Sequence, residues 1–159
     1  MLNTNDIAPD FTLPQLGSGK EQLYSNDRRL TFLVFYKFSC PTCQLALPYI
    51  NKIYEAYGND VRFFAVAQDN AEKTEQFAKD YGLTLPLLLD ETPYPVSRQY
   101  QLVSVPSIFL INPDHTIRYS GEGFVKQELM NLADVLAEKT GKPQIELFGS
   151  EAVPEFKPG

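Results

Sequence analysis

Two runs of apolar residues, 30–35 and 61–67, read as strands buried on both faces, and the stretch between them carries a helical pattern instead of a hairpin turn. Strands joined through a helix lie parallel within one sheet. The first helix starts near Pro41, lines up Ala46, Ile50, Ile53 and Tyr57 on one face and has Gly58 as its stop. After the second strand, Asp69 or Asn70 can cap a helix carrying Thr74, Phe77, Ala78 and Tyr81, ended by Gly82. A short strand (87–89) and a helical turn behind Pro95 follow, then two strands (107–111 and 116–120) around Asn112-Pro113-Asp114-His115. The last helix, 125–139, presents Leu129, Leu132, Ala133 and Leu136 and closes at Gly141. This order predicts an α/β fold with a central, mostly parallel sheet, an antiparallel edge hairpin and helices on both faces.

The 159 residues show no recurring period and fit one domain over residues 1–141. Residues 142–159 contain Pro143, Pro154 and Pro158 and no helix or strand periodicity, so they read as a C-terminal tail. A loosely ordered terminus is the plain expectation. Ile145, Leu147, Phe148, Val153 and Phe156 keep open a strap lying across the surface. With 14 basic and 20 acidic residues the net charge is −6, which argues against nucleic acid as a partner. No apolar stretch approaches a membrane span, and the polar opening Met1-Leu2-Asn3-Thr4-Asn5-Asp6 is unlike a signal peptide. The expected compartment is the cytoplasm, or the periplasm where a leader has been removed.

Both cysteines lie in Cys40-Pro41-Thr42-Cys43, where the first strand gives way to the first helix. A sulfur at a helix N-terminus faces unpaired backbone N–H groups and the positive end of the helix dipole, which favour thiolate and disulfide exchange. Cys40 is then the N-cap nucleophile. Pro41 suits the first helical position, where its missing N–H costs nothing. Thr42 and Cys43 can aim their N–H groups at the Cys40 sulfur, and the more shielded Cys43 can resolve a mixed disulfide. Lys37 would add a favourable charge if it points toward the site, and otherwise reads as a solvated loop lysine. Zinc would need more ligands than the two cysteines and the single histidine, His115, supply, and a structural disulfide across so short a loop would constrain the unfolded chain little. No cofactor and no metal are expected.

A second signal is Val105-Pro106-Ser107 ahead of the apolar strand Ile108-Phe109-Leu110-Ile111, since a proline at the start of a would-be central strand needs a reason. A cis peptide bond supplies one. Together, Cys40-Pro41-Thr42-Cys43 and Val105-Pro106 resemble the CxxC and cis-proline loop of the thioredoxin fold. The opening Ala8-Pro9-Asp10-Phe11-Thr12-Leu13, Pro48 after the cysteines and the 105–112 segment resemble its redoxin group. That group holds TlpA-like thiol:disulfide oxidoreductases and peroxiredoxins of the AhpC/TSA family. The resemblance implies a thioredoxin-like enzyme with a redox-active disulfide. It acts on a protein or small-molecule disulfide or dithiol, is reset by a separate reductant, and uses Val105 to pair with an extended substrate segment. Pro48 should kink the first helix.

Departures from the resemblance narrow the reading. Peroxiredoxins carry a Thr three residues before the reactive cysteine and an Arg at the later strand, whereas those places here hold Lys37 or Cys40, and Pro106. Disulfide exchange is therefore favoured, with a peroxiredoxin-type thiol peroxidase as the alternative. The carboxylates that thioredoxins and TlpA-like reductases place near the pair are replaced by Val34 and Ala46, so resolution should be slow unless water or another group serves as base. A Sco-like copper-binding chaperone is a further alternative, but its cysteine spacing is longer and His115 sits in a turn. Phe38, beside the motif, is the aromatic residue expected to touch a partner.

Overall fold

A computed structural model describes residues 1–159. Its centre is a five-stranded sheet of β3 (Thr31–Tyr36), β4 (Arg62–Ala67), β5 (Leu87–Leu89), β6 (Ser107–Ile111) and β7 (Ile117–Glu122), in the order β5-β4-β3-β6-β7. Strands β3, β4 and β5 run parallel, and the β6–β7 hairpin is antiparallel, with β6 pairing β3 so that Val34 lies opposite Ile108. β3 lies at the centre of this order and is buried at every position. Its alternate residues face two cores: Phe32, Val34 and Tyr36 enter one, Leu33 and Phe35 the other. Burying each such aromatic side chain contributes on the order of 2 kcal/mol.

The larger core is covered by α1 (Pro41–Tyr57), α2 (Ala71–Tyr81) and α4 (Lys126–Thr140). The smaller is covered by the N-terminal segment and the short helix α3 (Pro95–Gln99). Helices thus lie on both faces, and α2 shows how local chemistry sets both ends of a helix. Asn70 caps α2 by accepting the Lys73 N–H at 2.9 Å, and Gly82 ends it at φ +67°, a conformation that favours glycine. Gly58 ends α1 in a right-handed conformation, its N–H bonded to the Tyr54 carbonyl. α1 runs through Pro48, which removes one N–H from its ladder.

One feature near the N-terminus has no counterpart in the sequence reading. Thr12–Pro14 (β1) and Lys20–Gln22 (β2) form a small hairpin over the Gly17–Gly19 turn. The tail is a strap. Leu147 and Phe148 are buried in the larger core, the Lys52 ammonium donates to the Leu147 carbonyl at 2.6 Å, and the Tyr57 hydroxyl donates to the Pro143 carbonyl at 2.8 Å. Further on, Phe156–Lys157 (β9) pairs antiparallel with Phe124–Val125 (β8), directly before α4. Of the two readings of this segment, the strap describes it and the loosely ordered terminus does not, because Leu147 and Phe148 find a core to join, while Phe156 stays exposed. No helix is long and apolar enough to cross a membrane.

Candidate active site

The junction from β3 to α1 positions the cysteines. The Cys40 N–H bonds to the Lys37 carbonyl at 3.1 Å, closing a tight turn, and Cys40 then takes the N-cap of α1 with an extended backbone. Pro41 occupies the first turn, where no N–H is required. The Cys43 N–H donates to Cys40 Sγ at 3.0 Å, one of the orphan donors of a helix start finding its acceptor in sulfur. Of the two amides expected to face this sulfur, that of Cys43 alone bonds to it. Both thiols are free; Cys40 is partly exposed and Cys43 is fully buried.

Across the site, the Cys40 Sγ–H donates to the Val105 carbonyl at 3.4 Å. The Val105–Pro106 peptide bond is cis, as is Thr92–Pro93. The geometry therefore brings Cys40, Cys43, Pro41, Thr42, Val105 and Pro106 together at one end of the sheet. Burial is the main cause that drives the Cys43 thiol well above its ordinary pKa, and its hydrogen bond with Cys40 adds to this. The Lys37 backbone N–H pulls the other way, and the charges of Cys40 and Asp69 raise it slightly further.

The Lys37 side chain meets Tyr94. The ammonium lies 3.3 Å from the Tyr94 hydroxyl and 5.2 Å from the centre of the Tyr94 ring, so its charge is engaged there. Phe38 is half-buried, its ring edge-on to Phe77 at 6.4 Å. His115 stacks on Tyr24 with 3.6 Å between ring centres, in the turn at the far end of β6. That strand is about 17 Å long, which separates His115 from the cysteine end.

Asp69 escaped the sequence reading, where it was one of two candidate helix caps. Asn70 takes that role, and the Asp69 carboxylate, 9% exposed, instead accepts the Phe38 N–H at 2.7 Å. It stands at the C-terminal end of β4, beside the loop that delivers Cys40. Its charge also acts on Tyr36, whose hydroxyl is buried without a hydrogen-bond partner. Position at the end of a buried parallel strand was the available signal, since that edge of a parallel sheet is where sites form.

The family model described as AhpC/TSA matches residues 4–120. The chain belongs to the AhpC/TSA family. Within this family context it is 29% identical over 115 residues to the thioredoxin-like protein YneN of Bacillus subtilis, covering 70% of the chain and 66% of YneN. It is also 29% identical over 123 residues to the thiol-disulfide oxidoreductase ResA of Geobacillus kaustophilus, covering 76% of the chain and 70% of that protein. A putative thiol:disulfide interchange protein DsbE from Chlorobium tepidum superposes with a TM-score of 0.77 at 23% identity, over 86% of the chain and 98% of its own. The thioredoxin domain of a thiol-disulfide oxidoreductase from Bacteroides vulgatus gives 0.75 at 21% identity, over 85% and 98%. The AhpC/TSA chain described here thus has a thioredoxin-like fold, with a CxxC pair at the start of its first long helix.

Proposed function

We propose that the chain is a thiol:disulfide oxidoreductase in which Cys40 attacks and Cys43 resolves. One observation carries the assignment: Cys40 is partly exposed at the N-cap and its sulfur accepts the Cys43 N–H, while Cys43 is fully buried. A developing thiolate on Cys40 is met by a preplaced donor and by the helix dipole.

In the reductive direction the Cys40 thiolate attacks one sulfur of a substrate disulfide. The substrate S–S bond breaks, a Cys40–substrate disulfide forms, and the released thiolate takes a proton. Cys43 then loses its proton and attacks Cys40 Sγ, forming the Cys40–Cys43 disulfide and releasing the second substrate thiolate. Two electrons have passed to the substrate, and a separate dithiol reductant restores the pair. Pro41 and Thr42 shape the helix start, and Val105 with Pro106 forms the opposing wall. Val105 is half-buried, and its carbonyl already faces Cys40. The substrate is a protein or small-molecule disulfide or dithiol.

The test is catalysis of insulin disulfide reduction by dithiothreitol. Wild type accelerates it and Cys40→Ser loses that acceleration; a Cys40→Ser protein as active as wild type overturns the reading. Capture of the native partner on Cys40 also reports the compartment of exchange, cytoplasmic or periplasmic.

A further inference from the structure

The end of the strap reaches the site itself. β9 pairs with β8, the Lys126 N–H donates to the Glu155 carbonyl at 3.0 Å, and the Thr42 hydroxyl donates to the Pro158 carbonyl at 2.6 Å. Thr42 lies between the two cysteines in the first turn of α1, next to exposed Pro41, yet it is only 3% exposed. Gly159 lies against the Val105 carbonyl and the Ser104 hydroxyl so closely that a side chain there would collide with both. Gly123 joins the two walls: its N–H bonds to the Pro106 carbonyl at 2.9 Å, and a Cβ on it would stand 2.9 Å from the Lys157 carbonyl. The segment 156–159 therefore runs over Thr42 and Val105, the ground an extended substrate segment would cover.

We propose that residues 156–159 act as a size-selective gate on this site, admitting small disulfides with the strap closed and protein disulfides only after the strap has left Thr42 and Val105. The inference rests on the exchange reading above and adds the substrate class that each state of the site accepts. Its basis is competition for one backbone surface. Cys40 stays partly exposed with the strap in place, and that opening is the route the proposal gives a small disulfide. A polypeptide laid along Val105 would overlap Gly159. A gate open in about a tenth of molecules lowers apparent affinity for such a substrate about tenfold and leaves a small one unaffected.

The first experiment compares the full chain with a chain lacking residues 154–159, using insulin and oxidised glutathione as protein and small disulfides. Removal of the strap is expected to raise kcat/KM for insulin about tenfold and to change that for glutathione by less than about twofold. An equal change for both, or a fall for insulin, overturns the gate.

A second measurement needs no deletion. In Cys43→Ser, the Lys126 amide, held by Glu155, should exchange with solvent about tenfold faster when Cys40 carries a cysteine-containing octapeptide than when it carries 2-mercaptoethanol. Unchanged protection with the peptide bound overturns the gate while leaving the exchange chemistry intact. Failure of Cys40 to form either mixed disulfide overturns the exchange reading instead.

Discussion

The Asp69 carboxylate and the Phe38 N–H, 2.7 Å apart, tie the end of β4 to the loop that delivers Cys40. The tie has two separable parts, an acceptor and a charge. Asp69→Ala leaves the Phe38 N–H without its partner and should cost about 1–3 kcal/mol in chemical denaturation. Asp69→Asn keeps an acceptor and removes a charge that raises the Cys43 thiol. The pH profile of mixed-disulfide resolution should therefore move to lower pH in Asp69→Asn. A move to higher pH would identify Asp69 as the proton acceptor for Cys43.

Burial holds the Cys43 thiol above its ordinary range, so near neutrality it is protonated and only its small ionised fraction can attack. That fraction grows about tenfold per pH unit below the pKa. Stopped-flow measurement of the second exchange step should show a log-rate slope near one between about pH 7 and 9, with no plateau. A plateau in that range would mean that Cys43 ionises far more readily than its surroundings allow.

Phe148 anchors the strap, its ring centre 4.6 Å from that of Tyr49 and 6.0 Å from that of Phe124. Phe148→Ala should destabilise the whole domain by about 3–5 kcal/mol in urea unfolding, the range for a large buried aromatic. A loss below about 0.5 kcal/mol is what a peripheral tail would give.

At the opposite end of the sheet, the hydrogen bonds of Arg29 hold the Asp27 carboxyl at about 2 against the opposing effect of burial, and Arg62 lies 3.7 Å away. The folded pKa is lower than the unfolded one, so the stabilisation is complete above about pH 4 and is lost as pH falls toward 2. Both partners are solvent-accessible, which limits its size to about 1 kcal/mol. Wild type should melt higher than Asp27→Asn at pH 6, and the two should converge only below about pH 2.

What the sequence made legible follows from periodicity and position. Strand β3 and helix α1 were readable because burial on both faces demands an unbroken apolar run, and because Cys40-Pro41 carries its own helix-start chemistry. The proximity of Val105 to Cys40 was readable only through the resemblance, since residues so far apart in the chain have no spacing rule to connect them. Strand β9 was hidden because two residues carry no alternation, and its pairing depends on where Phe124 and Val125 happen to lie. The direction of Lys37 was left open for a related reason. Sequence fixes that a lysine stands beside the motif, but the competing Tyr94 hydroxyl and ring come from a distant loop. Asp69 was hidden by its neighbour: either Asp69 or Asn70 suits a helix cap, and only the fold decides which of them turns inward.

The central claim is the division of labour between the two sulfurs, and one comparison tests it. Cys43→Ser and Cys40→Ser proteins are each mixed with a peptide disulfide and the products are read by intact-mass spectrometry. A stable peptide adduct on Cys40 of the Cys43→Ser protein, with none on the Cys40→Ser protein, is the predicted result. Adduct accumulating on Cys43 of the Cys40→Ser protein, while Cys43→Ser stays unmodified, would contradict it.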